Sequence, residues 1–228
     1  MWKSFSAAAA AMLTTVTSPA ADLTDTERRW LHGIAPVLSF ARSEKLPLDV
    51  IVQPQPTPGV PPLALAFVDG RCKLVLSMRG NPEAQAALER IDASLLDATL
   101  ELMAAHELGH CRRYLDGGWY SLPARFQAES PLKAPGSASS TAEAEWRAER
   151  REEGFADLMG LAWTRRQHPG LYPALYAWLI KERTAERVPG GPHDTIAWLR
   201  LAENGASLDA PSGPMALWLR GLGADMDD

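Results

Sequence analysis

Along residues 24–43 the apolar positions Trp30, Leu31, Ile34 and Leu38, flanked by Leu23 and Phe40, suggest a helix with one apolar face. Asp25 and Glu27 stand in its first turn, where carboxylates favour the helix dipole. Pro36 predicts a kink or an early end. Residues 49–53 read as a short strand, and the proline-rich stretch 54–59 as a rigid loop. Two further runs, Leu63–Val68 and 71–77, flank Asp69-Gly70, a dipeptide that supplies the positive backbone angles of a tight hairpin turn. In the second run Cys72, Leu74 and Leu76 alternate with Lys73, Val75 and Ser77, as in a half-buried strand.

The rest of the pattern is helical. Asn81-Pro82 opens a helix to about Arg90. Ser94, with Asp97 three residues on, looks like the cap of a helix that runs to about Leu115 and is ended by Gly117-Gly118. Residues 119–140 carry Pro123, Pro131, Pro135, Gly136 and several serines, and read as a long loop over or beside the functional cleft. Helices follow over about 142–167, 172–187 and 194–204, the last capped by Asp194 or Thr195, with a short one over 214–222. The expected fold class is α+β: one mainly helical domain over residues 22–228 with a small antiparallel sheet.

At 228 residues the chain can bury a substantial core without staples. It is 46% apolar and 22% charged, ordinary for a globular protein, and has no apolar run long enough to span a membrane. A net charge of −5 weighs against a nucleic-acid partner. Arg147, Arg150 and Arg151 alternate with Glu145, Glu149, Glu152 and Glu153, as on a charged helix surface. Cys72 and Cys111 are too few for a disulfide scaffold, and ordinary packing is expected for both, with one disulfide if the protein is exported. Export is suggested by residues 1–21: a short basic start, an alanine-rich apolar middle and a small-residue end at Ser18-Pro19-Ala20 have the parts of a signal peptide, which would place the protein in the periplasm or outside the cell. The competing reading keeps this stretch as an alanine-rich segment of a cytoplasmic protein.

The chemistry is carried by His106-Glu107-Leu108-Gly109-His110. On a helix, residues four apart are turned by about 400° and rise about 6 Å, so both imidazoles project from one face and can grip one Zn²⁺. Glu107 can reach the same cleft and take a proton from a metal-bound water. A catalytic zinc needs a third protein ligand. Glu153 and Asp157 share one face of the 142–167 helix; Glu153 can ligate, and Asp157 can hold the outer nitrogen of a ligating histidine. Gly154 costs about 1 kcal/mol in a helix relative to Ala, and a close approach to the metal helix would explain it. Glu152 and Asp116 compete for the third position, Asp116 because it stands where enzymes with a longer H-E-x-x-H-x-x-G-x-x-H motif carry their last histidine.

His106-Glu107-x-x-His110 with Glu153-Gly154-Phe155-Ala156-Asp157 resembles the gluzincin class of zinc metallopeptidases and is similar to thermolysin-like and related membrane-linked enzymes. The resemblance covers the two motifs and the hairpin before them, and not the whole chain. Glu152 departs from it, standing where thermolysin-like proteins carry asparagine. It implies a zincin-like fold with one zinc between two helices and a peptide or protein substrate. Glu153 would be the third ligand, with Asp157 behind His106. Strand 71–77 would be an edge strand that binds extended substrate. His193, in Gly190-Gly191-Pro192-His193, would donate a hydrogen bond to the oxyanion. Two other readings stay open: a zinc hydrolase acting on a non-peptide amide, and a non-catalytic module in which zinc staples two helices, for which Glu107 would have no use as a base.

Overall fold

The computed structural model describes residues 22–53, 59–117, 138–185, 187–208 and 214–226. The candidate signal peptide, the prolines of 54–58 and most of the 119–140 segment lie outside them. Residues 138–140 already belong to a helix. No helix among the described residues is long and apolar enough to cross a membrane.

Helix α1 (Asp25–Ser43) starts on a reciprocal cap: Thr24 Oγ1 accepts from the Glu27 backbone N–H, and the Glu27 carboxylate accepts from the Thr24 N–H. Pro36 does not end it. Pro36 and His32, four residues before it, are both exposed, so water can satisfy the carbonyl that loses its helical donor.

Strands β1 (Leu48–Val52), β2 (Leu63–Val68) and β3 (Arg71–Leu76) form one sheet in the order β1-β3-β2. The Asp69-Gly70 turn, with φ of 52° and 72°, closes the expected hairpin and pairs Val68 with Arg71. The sheet is nevertheless mixed, because β1 pairs with β3 in parallel, Leu48 opposite Cys72. The hairpin commits one edge of β3 to β2, and β1 takes the other. Strand β3 is therefore the middle strand, which removes residues 71–77 as an edge for substrate. The edge strand beside the helix that carries His106 and His110 is β2.

Helix α2 (Pro82–Arg90) is capped by the Asn81 side chain. Helix α3 (Leu96–Leu115) is not capped by Ser94. Leu95 holds the cap position without a side-chain bond, Ser94 N–H goes to Asp92, and Asp97 pairs with Arg29 at 2.6 Å. Gly117, at φ 67°, ends α3 as expected. Helix α4 (Ala138–Gln167) lies against α3. A Cβ at Gly109 would come 3.0 Å from Ala156 Cα, and one at Gly160 2.9 Å from the Leu102 carbonyl oxygen, so these glycines permit the close approach. Gly154 serves a different contact. A Cβ there would sit 2.4 Å from the ring of Trp198, so it makes room for the indole rather than for α3.

Helix α5 (Tyr172–Ala185), the short α6 (Ile196–Arg200), a 3₁₀ turn (Ala206–Leu208) and α7 (Pro214–Met226) complete the fold. One apolar core gathers Trp30, Ile34, Leu74 and Leu100 between α1, the sheet and α3; a second gathers Phe155, Leu158, Leu161 and Trp198. The α3–α4 pair stands between them. Cys72 and Cys111 do more than pack: they form a disulfide, Cα–Cα 5.7 Å, that ties β3 to α3 one residue after His110. Sequence separation hid the pairing, since the partners stand 39 positions apart and meet only once α3 crosses the sheet.

Candidate metal centre and cleft

Helix α3 delivers His106 and His110 with their Nε2 atoms 3.1 Å apart. From α4, Glu153 Oε2 lies 3.4 Å from His106 Nε2, and Oε1 lies 3.5 Å from His110 Nε2. Zinc bonds of about 2.0–2.2 Å in tetrahedral array set neighbouring donors about 3.3–3.5 Å apart. The three side chains therefore have both the donor chemistry and the spacing to hold one metal ion. The rival ligands are elsewhere. Glu152 is buried in a bidentate pair with Arg113, at 2.8 and 2.9 Å, and Asp116 is at the surface beside Arg112.

Behind the histidines Asp157 is fully buried, and each of its oxygens accepts two bonds. His106 Nδ1 (2.9 Å) and Arg183 Nη2 (2.6 Å) meet Oδ1, while Arg183 Nε (2.9 Å) and Thr195 Oγ1 (2.6 Å) meet Oδ2. A carboxylate on Nδ1 fixes the ring so that Nε2 faces Glu153 and His110. Burial alone would raise the Asp157 carboxyl, but Arg183 and His106 hold it well below the ordinary range. Burial likewise opposes charge on Glu153, and its bonds to the two histidines outweigh that, keeping it ionised. For His106, burial disfavours the cation, yet Asp157 and Glu153 push its pKa up to about 10. The protein's own groups thus make this point strongly attractive to positive charge.

The group borders a cleft of about 510 Å³. Glu107 and His193 also line it, as does the start of edge strand β2 at Leu63, Ala64 and Leu65. Burial raises the Glu107 carboxyl; His106 and His110 pull it down and Glu153 pushes it up. His193 Nε2 is 3.7 Å from Glu153 Oε2. Its loop is pinned by Asp194, which accepts from Arg187 at 2.7 Å and from the Gly190 N–H at 2.9 Å, and by Arg150, which donates to the Gly190 carbonyl.

The structure brings together His106, Glu107, His110, Glu153, Asp157 and His193. Sequence reasoning missed Arg183 and Thr195. Thr195 does occupy the cap position of α6, but its hydroxyl leaves the helix for Asp157. Nothing in the spacing of α5 marks Arg183, since one arginine in a charged helix carries no pattern. A buried aspartate so close to a metal motif was the available signal, because such a group must find a cation. Comparison with family models, with curated proteins and with solved structures found no match for this chain.

Proposed function

We propose that the protein is a zinc-dependent peptidase, with His106, His110 and Glu153 as ligands and Glu107 as general base. The observation that carries this is a carboxylate the fold itself does not use. Glu107 borders the cleft beside three converging donor atoms, and among the described residues it makes no hydrogen bond or ion pair. A structural staple has no need of such a group, whereas two histidines, one glutamate and an open side are the donor set of catalytic zinc.

Zinc held there would lower the pKa of a water towards neutrality and polarise a carbonyl. The protein's own groups supply the rest. Glu107 takes the proton from the attacking water and passes it to the leaving amine. Asp157 holds the His106 ring, with Arg183 and Thr195 holding Asp157. His193 would donate to negative charge developing on the carbonyl oxygen. The peptide is favoured over another amide because β2 is an edge strand whose first residues line the cleft, where an extended chain can add as a further strand. The architecture around the site, a mixed sheet and two helices holding the donors, agrees with a zincin-like fold. The Cys72–Cys111 disulfide supports an exported protein, periplasmic or secreted, because such bonds persist in oxidising compartments.

Glu107→Gln tests this reading. The amide keeps the shape of the side chain but cannot take the proton. Zinc stoichiometry and the thermal melt should stay at parental values while peptide hydrolysis falls by at least about 10²-fold. A variant that cleaves as fast as its parent removes Glu107 from the chemistry.

A further inference from the structure

Charge in the cleft is unbalanced. Among the described residues, Glu83, Glu107, Glu149, Glu153, Asp157 and Glu182 line it, against two guanidiniums, Arg90 and Arg183. Arg183 closes on Asp157 and also reaches Glu153 at 3.4 Å, and Arg90 stands 3.6 Å from Glu83. Glu153 belongs with the histidines, and Glu107 with the reaction. Glu149 and Glu182 are left over. Both are partly buried, and neither has a hydrogen bond or ion pair among the described residues.

Both stand on helices that wall the cleft. Glu149 lies one turn before Glu153 on α4, so both face the cleft. Burial, and then the like charges of Glu153 and Glu145, hold its carboxyl above the usual range. Glu182 on α5 lies four residues after Trp178, which also lines the cleft, so one side of that helix presents an indole together with a carboxylate. Carboxylates that lose hydration without gaining a counter-charge destabilise the fold, and a site that keeps them is suited to a cation from outside. Beside an indole, that cation is best an organic one, since charge-assisted hydrogen bonds and cation–π attraction then act on the same group.

We propose that Glu149, Glu182 and Trp178 form a subsite for a cationic group of the substrate, an ammonium or guanidinium carried by a Lys or Arg side chain or by a free N-terminus. This places the substrate class of the proposed hydrolase among cationic peptides. It rests on that reading for the chemistry, but not for the binding.

The test uses fluorescently labelled peptides that differ at a single residue, Lys, Arg, norleucine or Glu, with acetylated N-termini. A second set has free N-termini and no basic side chain. Anisotropy measures their binding to Glu107→Gln, with and without zinc, and with and without the added Glu149→Gln/Glu182→Gln changes. At least one cationic set should bind about tenfold tighter than its neutral match, as one charge-assisted contact provides. The preference should shrink in about 0.5 M salt and vanish with the added changes. Which set gains tells a side chain from a terminus. Equal affinity for cationic and neutral peptides, no binding of either cationic set, or a preference that survives the added changes overturns the subsite. If the combined variant melts early, Glu182→Gln alone serves in its place and should lower the preference at least about threefold. Cleavage of the same peptides by the parent reports separately: cation-selective binding without hydrolysis refutes the peptidase and leaves the subsite, and unselective hydrolysis does the reverse.

Discussion

Two constellations of charge bridge α3 and α4, and the chain neighbours Glu152 and Glu153 belong to different ones. Glu152 closes on Arg113 through two hydrogen bonds, both groups are buried, and the Arg113 guanidinium lies 3.6 Å over the Trp218 ring. That pair is neutral within itself and sealed by an indole from α7. One residue on, and so about 100° around the helix, Glu153 meets two imidazoles at the wall of an open cleft. Arg183 also reaches Glu153 at 3.4 Å, yet among the described residues the carboxylates that line the cleft outnumber its guanidiniums. The difference teaches where chemistry can reside on this scaffold: a charge matched inside the fold stabilises it, while an unmatched charge at a cleft is available to something that arrives.

Exchanging the treatment of the two glutamates is the strongest way to break the contrast. Glu153→Ala should abolish stoichiometric zinc binding, with His106→Ala and His110→Ala doing the same. Glu152→Ala should leave zinc in place but lower stability by about 3–5 kcal/mol, the cost of stranding a buried partner. Metal analysis and denaturant melts on the same preparations decide it, and zinc lost from the Glu152 variant but kept by the Glu153 variant would reverse the assignment.

Next in size is the disulfide, which braces α3 from the sheet side, away from the cleft. Its loop of 39 residues implies a stabilisation of about 4 kcal/mol through the unfolded chain. Cys72→Ser/Cys111→Ser should lower the denaturant midpoint accordingly. An unchanged midpoint would mean that packing alone holds α3 on β3.

Asp157 belongs to both kinds of constellation, since it is closed by Arg183 and yet serves His106. Asp157→Ala should weaken zinc binding or turnover by about 10–100-fold. A titration with competing chelator reads the first and a peptide assay the second. Parental values for both would mark the aspartate as an internal partner of Arg183 only.

The smallest effect sharpens the idea of the closed pair. Glu27 accepts from Arg79 at 2.7 Å and caps α1. Burial alone would raise its carboxyl, but the Arg79 bond and the Thr24 contacts outweigh burial and lower it. A carboxyl lowered in the folded state contributes its stability in full above the unfolded value, near 4.5, and loses it as pH falls through the folded value. Glu27→Gln should therefore cost about 1 kcal/mol at neutral pH and progressively less in acid. Urea melts of parent and variant from pH 7 to 3 follow the gap; one that widens on acidification contradicts the pairing.

Much of this protein was determined by sequence alone. The paired histidines of α3, the glutamate between them and the carboxylates four apart on α4 are features of a single helix, and helical spacing is local. The Asp69-Gly70 turn was equally plain, because two residues set its backbone angles. The tertiary structure decided what depends on how elements rotate and cross. It placed Glu153, rather than Glu152 or Asp116, beside the two histidines, made β2 rather than β3 the edge strand, and turned β1 parallel. It also assigned Gly154 to the Trp198 ring, joined Cys72 to Cys111, and brought Arg183 and Thr195 to Asp157. Each of these outcomes is set by which faces pack. A periodic sequence specifies that a face exists, whereas its partner is fixed only when distant segments compete to bury the same surface and to pair the same buried charge.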